Sequence, residues 1–494
     1  MLSCFWETYR EQHPSHCVFQ MEAEAKLRLS HTIPLMLHGD GGRTLKKEPL
    51  EILSLVAPLG VDQELPGPMV GKCQQNVSYS CIRGLRDPLR QRLNNKNSSY
   101  LSHFLCFAFP RKKYKKTPGL LKAMLAVISE DLGRCCHEGL EVKKVRWHFG
   151  VLGLRGDAEW HASTGVLSRS YKNIGHVNEL ECCHECMAGG PLLPFEDYGQ
   201  HAAWKDSVGR LPPWSEQPPY APIPFELRGW DCGHAACFFR RDPLHVFRLG
   251  VGRHFLGSSI VMLCLDGFFD CPNDLVGIDE RLKRAWSSFL LFCETYGKSP
   301  ASMRSFSRQK LHMPKLTDFP WLGCKGSDTM LVFDWLDWFV GLQIISGHDA
   351  RELRLVKTGC EQAFAFQGIH RHGIWLVRGC QKTLRHAVNG FCGTYARLAA
   401  ACLQQERTLF CQVSKAHSYH HFAYDLEVAM NKGQRYALNP GLWDASASED
   451  FIGRVSRQSR RVDYRNIVCN TLLAYKVKTK LVVSRFTKAR GIQA

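Results

Sequence analysis

The chain has no stretch long and apolar enough to cross a membrane and none that reads as a secretory leader. None of its apolar runs approaches the roughly 18 residues a span needs. Met1–Cys17 is polar and charged, without the apolar centre of a signal peptide. The expected setting is therefore inside the cell, with no membrane partner. The 22 Cys should be reduced there, as core thiols or metal ligands. No internal repeat of fixed period is present. Negative charge is scarce: 46 Asp+Glu face 64 Lys+Arg, for a formal charge of +18. That deficit points to a polyanion, with nucleic acid ahead of membrane, over a basic enzyme with no such partner. A hydrophobic content of 45% and 12 Trp exclude global disorder. A chain of 494 residues can bury a large core in two or three domains.

The apolar patterning begins with strands. Residues 31–38 and 48–59 read as strands, followed by a polar loop over 86–99, a third strand from Tyr100 to Phe109 and a basic connector, Arg111–Lys116. Pro118–Cys136 carries Leu120, Leu121, Met124, Leu125, Ile128 and Leu132 on one helical stripe, and Val145–Leu154 reads as a fourth strand. Strand, strand, strand, helix, strand is the order of a ribonuclease H-like α/β core, in which the first and fourth strands lie side by side. Residues 190–230, rich in Pro and aromatics, suit an extended segment laid over a surface. From about 243 to 430 the pattern is mainly helical. The expected organisation is an N-terminal segment (1–30), the first part of the core (31–160), a Cys-containing, Pro/aromatic-rich segment (161–240), a large α-helical insertion (241–430), and a C-terminal helix with a basic tail (431–494).

Acidic residues close the strands. Asp40 follows the first and Asp157 the fourth, although Gly39-Asp40-Gly41-Gly42 by itself reads as a turn. Glu449 opens a helix-like segment; on its own it also suits the first turn of a helix capped by Ser448. Three carboxylates can hold two Mg²⁺ or Mn²⁺ ions, since hard ions take oxygen ligands, and such a pair clamps an in-line phosphoryl displacement. Asp40 is the expected bridging ligand, Asp157 the second and Glu449 the third. A split Cys/His set accompanies them. Cys183-His184-Glu185-Cys186 supplies two thiolates, and His417 and His421, spaced i, i+4, present two imidazoles on one helix face. Together they can complete a tetrahedral Zn²⁺ site. Cys182 and His420 are alternates, and Cys232-x-His234-x-x-Cys237 and His176 compete. A surface cluster beside DNA phosphates is the plainer use of the His pair. Asp242 and His245 read as a helix cap with its packed partner, or as a pair close to the metals. For DNA contact the candidates are Arg111, Lys112 and Lys113 of the connector, which also suit an import signal or a solvated loop, and Arg454, Arg457, Arg460 and Arg461 beyond Glu449.

These strings resemble the catalytic domain of eukaryotic cut-and-paste DNA transposases of the CACTA type and their Plavaka-like relatives. The resemblance rests on Ile33-Pro-Leu-Met-Leu-His-Gly-Asp40-Gly, Gly156-Asp157, Cys183-x-x-Cys186-x-Ala188, Asp242-x-x-His245-x-x-x-x-Gly250-Val-Gly, His417-x-x-x-His421-Phe and Ser448-Glu449-Asp450-Phe. It covers roughly residues 30–475. It implies a DDE/D-type enzyme that uses Mg²⁺ to cut double-stranded DNA at element ends and join it to a target, in the nucleus, with self-association left open. It supports one Zn²⁺ shared between the Cys and His pairs, and it offers Asp242 as an alternative catalytic aspartate. Such proteins usually carry an N-terminal DNA-binding domain, and none is visible in the 39 residues before Asp40. A catalytically inactive or domesticated DNA-binding derivative is the alternative expectation, and a basic interaction scaffold the third.

Overall fold

The apolar runs of the first third of the chain pair into one mixed sheet. The computed structural model describes residues 1–44, 48–60, 88–94, 98–174, 180–214, 235–271 and 276–489. Its principal strands are β1 (Thr32–Arg43), β2 (Pro49–Val56), β3 (His103–Pro110), β4 (Leu140–Val142), β5 (Val145–Gly156) and β6 (Phe239–Arg240). β1, β2 and β3 form an antiparallel meander, and β5 lies parallel to β1 on its other side. β6 adds in parallel beyond β5, and the short β4 forms a hairpin with the start of β5. The expected neighbourhood of the first and fourth long strands is therefore present. The extra hairpin strand β4 was not expected.

β1 differs from its expected extent. It continues to Arg43, so Gly39-Asp40-Gly41-Gly42 is strand, not turn. Pairing explains this: Asp40 sits opposite Ile52 and Gly42 opposite Leu50, and the ladder to β2 overrides the local preference of three glycines for a turn.

Helices cover both faces of the sheet. α1 (Leu2–Arg10) and α2 (Cys17–Ala23) make the N-terminal segment part of the core, with Phe5, Trp6 and Tyr9 fully buried. Gly150 of β5 gives Trp6 its place, since a Cβ there would stand 2.4 Å from the indole. The basic connector is a five-residue helix, α3 (Arg111–Lys115), and the striped segment is α4 (Leu120–His137), which buries Leu125 and Leu132 in the same cluster as α1. α5 (Ala158–Thr164) follows β5 directly.

A wide π-helical segment, Leu244–Val251, leads into the insertion. Helices α6 (Gly252–Leu265), α7 (Ile278–Thr295), α8 (Gly326–Ile345), α9 (Arg351–Gln367), α10 (Arg378–Gln404) and α11 (Ser414–Asn431) share a large apolar core of their own. A two-stranded ribbon, β7 (Trp375–Val377) with β8 (Tyr436–Leu438), ties it to the N-terminal segment, where the Gln12 side chain bonds Tyr436 and Leu438 backbone. Finally α12 (Ser446–Ser459) and α13 (Ile467–Ala489) cover the far face of β2 and β3, packing Phe451, Ile452, Val455 and Tyr475 on Leu50, Ile52 and Leu105. Among the described residues no helix is long and apolar enough to cross a membrane.

Candidate functional site

Register brings the strand-end acids together. β1 and β5 pair in parallel with Gly39 opposite Gly156. Asp40 and Asp157 are the next residues along the two strands, which lie roughly 4.8 Å apart. Alternation then decides what faces what. Gly39 lies under Trp160, whose ring a Cβ would meet at 2.0 Å. Residues 38, 40 and 42 therefore share the opposite face. α12 rests on that face at Gly42, where an added Cβ would stand 2.2 Å from Ser456 Oγ. The glycine lets the helix approach the strand. Two turns earlier on the same side of α12, Glu449 comes to Asp40.

The outcome is a group of His38, Asp40 and Glu449 whose donor atoms all lie within 4.8 Å of one another. Asp40 and Glu449 stand close enough to share a proton. Burial, with the contact to Asp40, pushes the Glu449 carboxyl up to about 10. Asp157 lies outside this closely set group. Its Oδ1 caps α5 by accepting from Trp160 N at 2.6 Å. Burial first and the charge of Asp40 second raise its pKa. Glu449 lies in the first turn of its helix, as expected, but Ser448 is no cap: α12 begins at Ser446 after Ala445. Ser448 Oγ instead bonds His103 Nε2 at 2.8 Å and accepts from Arg155.

Arg155 is a buried cation beneath the acids, donating also to Leu442 O at 3.3 Å and Asp444 O at 3.1 Å. Asp242 is 1% exposed. Its Oδ1 accepts from Leu244 N and Ala445 N, both at 2.9 Å, so it joins the π-helical entry of the insertion to the entry of α12. His245 Nδ1 donates to Asp242 Oδ2 over 2.5 Å, while its Nε2 stands 3.9 Å from Glu449 Oε1. Burial works against the imidazolium of His245, but Asp242, Asp40 and Asp157 outweigh it and raise its pKa. Asp242 is thus both a cap and the anchor of a histidine aimed at Glu449.

The Cys and His pairs meet as the spacing suggests. Cys183, Cys186, His417 and His421 are all buried, with donor atoms mutually within 4.8 Å. Cys183 Sγ is 3.4 Å and Cys186 Sγ 3.5 Å from His421 Nε2; Cys186 Sγ is 3.2 Å and His421 Nε2 3.1 Å from His417 Nε2. Tetrahedral ligands at zinc bond lengths stand roughly 3.3–3.8 Å apart, so the donor set fits a metal ion such as zinc. Trp204 seals it, with ring centroids 4.6 Å from both His417 and His421. The alternates fall away. Cys182 is buried but outside the group, and His420 packs against Tyr198 and Trp204. Cys232, His234 and His176 lie outside the described residues.

One residue joins the two centres. Arg241 donates to Glu185, inside the Cys-x-x-Cys loop, and to Asp425 at 2.5 Å, one turn beyond His421. It immediately precedes Asp242. On the other side Lys415, half a turn before His417, donates to Leu249 O at 3.2 Å. With Asp157, His245, Cys183 and Tyr171 it lines a cavity of about 210 Å³ between the centres. Burial lowers the Lys415 pKa, against the opposing pull of Asp157 and Asp242.

The basic candidates divide. Arg111 is spoken for by Glu51 at 3.0 Å and Tyr114 at 3.1 Å. Lys113 bonds Arg465 O, and Lys112 is exposed. Arg454 bonds Asp450 at 2.6 Å and lies over the Tyr100 ring. Arg460 donates to Arg43 O. Arg457 and Arg461 are exposed, but Arg460 and Arg461 lie past the end of α12, so the four arginines do not form one basic face of a single helix. His38, Arg155 and Arg241 were not expected at the site from sequence. The alternation of β1 was a signal for the first, since His38 and Asp40 must share a face. A comparison with protein-family models finds no match, and a comparison with curated proteins finds none either.

Proposed function

We propose that this chain is a DNA strand-cleaving and strand-transfer enzyme of the DDE/D transposase type, with a ribonuclease H-like core and a zinc-stapled helical insertion. The observation that carries the reading is the register of β1 against β5, which sets Asp40 beside Asp157, with Glu449 closing on Asp40 from α12. An antiparallel meander followed by two parallel strands supports the ribonuclease H-like core. Divalent ions such as Mg²⁺ or Mn²⁺, when bound, would activate the attacking oxygen and stabilise the leaving one.

The residues of the chain have separate tasks in this reading. Asp40 and Glu449 would hold ions between strand and helix, with Asp157 beside them on the next strand. An ion bound there would displace the proton that Glu449 holds. Asp242 fixes His245, which keeps a positive charge beside the acids. Lys415 offers its ammonium at the cavity edge, where a substrate phosphate would lie. The Cys183/Cys186/His417/His421 centre, holding zinc, keeps α11 and hence Lys415 in place. Double-stranded DNA is the proposed partner, consistent with the charge of +18, and the nucleus the proposed compartment.

The test is cleavage of labelled duplex DNA with Mg²⁺ or Mn²⁺. Asp40→Ala and Asp157→Ala should each lower the rate by about three orders of magnitude, roughly 4 kcal/mol of barrier, with DNA affinity unchanged. Binding without cleavage by the intact chain would favour the inactive, DNA-binding derivative instead.

A further inference from the structure

His38 is 0% exposed, and neither of its ring nitrogens has a hydrogen-bond partner. Buried polar groups are almost always partnered, because an orphaned one forfeits its hydrogen bonds to water without replacement. The charged and titratable groups near the ring include Arg155, His103, His245 and His161, and Arg155 already donates to Leu442, Asp444 and Ser448. What stands against the ring is a pair of carboxylates, Asp40 and Glu449, with donor oxygens within 4.8 Å of a His38 nitrogen. Glu449 Oε1 is itself buried without a hydrogen bond, with His245 Nε2 no nearer than 3.9 Å. Two orphaned donor atoms thus face one small space.

The backbone makes this placement compulsory. Trp160 occupies the side of Gly39, and Ser456 occupies the side of Gly42. A one-residue slip of β1 would drive a side chain into one of these neighbours, so His38 is held on the same face as Asp40, toward Glu449.

We infer that His38 is a direct ligand of the ion held between Asp40 and Glu449, making this position a one-nitrogen, two-carboxylate site that prefers Mn²⁺ to Mg²⁺. Imidazole is a good ligand for first-row transition ions and a poor one for Mg²⁺, which favours all-oxygen, largely hydrated shells. This inference deepens the proposed function and rests on its placement of an ion at Asp40 and Glu449. Its test does not need DNA.

The experiment uses the full chain with zinc kept loaded, so that Mn²⁺ is confined to the carboxylates. Mn²⁺ binding is titrated by electron paramagnetic resonance of the free ion, Mg²⁺ by competition, and the bound Mn²⁺ is examined for ¹⁴N modulation of its spin echo. The intact chain should show ¹⁴N coupling of a directly bound imidazole. His38→Ala should lose it and bind Mn²⁺ at least about tenfold more weakly, within the range for disturbed metal shells, with Mg²⁺ affinity changed less than about twofold. Asp40→Asn should lose the bound Mn²⁺ signal. Bound Mn²⁺ without ¹⁴N coupling in the intact chain would overturn the inference, whether or not His38→Ala folds, and so would the absence of Mn²⁺ binding at millimolar concentration. Cleavage of DNA by a chain lacking the coupling would overturn the inference while sparing the proposed function. Coupling in a chain that never cleaves DNA would do the reverse.

Discussion

The two candidate metal centres lie on either side of one cavity and solve opposite problems. The Cys/His centre is finished before any ion arrives: four buried donors from two distant segments, with Trp204 packed on both imidazoles. The carboxylate centre is unfinished in electrostatic terms. Its acids are only partly buried, the charge of Asp40 raises the proton affinity of both Asp157 and Glu449, and the buried His38 and Arg155 lie close by. A closed donor set suits an ion that holds structure, and a crowded, half-open set of like charges suits ions that meet a substrate. The difference predicts that damage to the first centre costs stability, and that damage to the second costs ions and activity while leaving stability intact or improved.

The most severe break of that comparison is at the closed centre. Cys183→Ser or His417→Ala should release zinc and destabilise the chain by more than about 5 kcal/mol, since structural zinc sites contribute on the order of 10 kcal/mol to folding. The check is zinc content with thermal melting of the same samples. A zinc-free variant that melts with the parent would end the structural reading of this centre.

Next comes the strap between the centres. Arg241→Gln takes the guanidinium away from the buried Glu185 carboxylate and leaves it with His184 Nε2 at 3.4 Å. Breaking a buried pair costs about 3–5 kcal/mol; the Asp425 side adds little because that side chain is 52% exposed. Since Asp242 follows directly, Mn²⁺ affinity at the carboxylates should fall as well. A variant that lost stability but bound Mn²⁺ normally would separate the two centres.

At the open centre the sign reverses. Glu449 holds its proton up to about 10 in the folded chain, against an ordinary value of 4.5. The folded state therefore binds the extra proton. Its contribution is full below about 4.5 and fades as pH rises toward 10. Glu449→Gln should raise the melting midpoint of the magnesium- and manganese-free chain by a few degrees at pH 9 and by almost nothing near pH 4, while weakening Mn²⁺ binding. Equal midpoints at both pH values would contradict the crowding of the acids.

The smallest expected effect concerns the surface. Arg457 and Arg461 are exposed, whereas Arg454 and Arg460 are engaged within the chain. Replacing Arg457 and Arg461 with Ala should flatten the salt dependence of duplex binding by about 0.9 in log–log slope for each phosphate no longer neutralised. Arg454→Ala should leave it alone. The opposite pattern would move the DNA track to the Tyr100 side of α12.

How much of this was legible in the sequence follows from how local each signal is. The i, i+4 spacing of His417 and His421 and the two-residue gap of Cys183 and Cys186 survive into three dimensions, because one helix and one tight loop set them. Asp40 and Asp157 were legible as acids that follow apolar runs, although β1 continues three residues past Asp40. What escaped depended on distant neighbours. Gly39–Gly42 reads as a turn until β2 pairs with it. Ser448 reads as a cap until Arg155 and His103 claim its hydroxyl. His38 is one more polar residue in an apolar run until α12 covers its face. The N-terminal residues look like an appendage until Gly150 makes room for Trp6.

The Cys/His centre has a last consequence in polymer terms. Its thiol and imidazole donors are 231 and 238 positions apart. A bound ion is therefore a cross-link that closes a ring of more than two hundred residues. Chain-entropy arguments assign such a closure about 5 kcal/mol of unfolded-state entropy, near the top of the range because the ring is long. The helical core lies inside that ring, and the Asp40 and Glu449 halves of the carboxylate centre lie outside it, one on each side. During synthesis Asp40 and Asp157 emerge early and wait. A locked ring shortens the chain that separates Asp40 from Glu449, and so lowers the entropy cost of bringing α12 to β1. The ion that performs no chemistry would then make the chemical site easier to assemble.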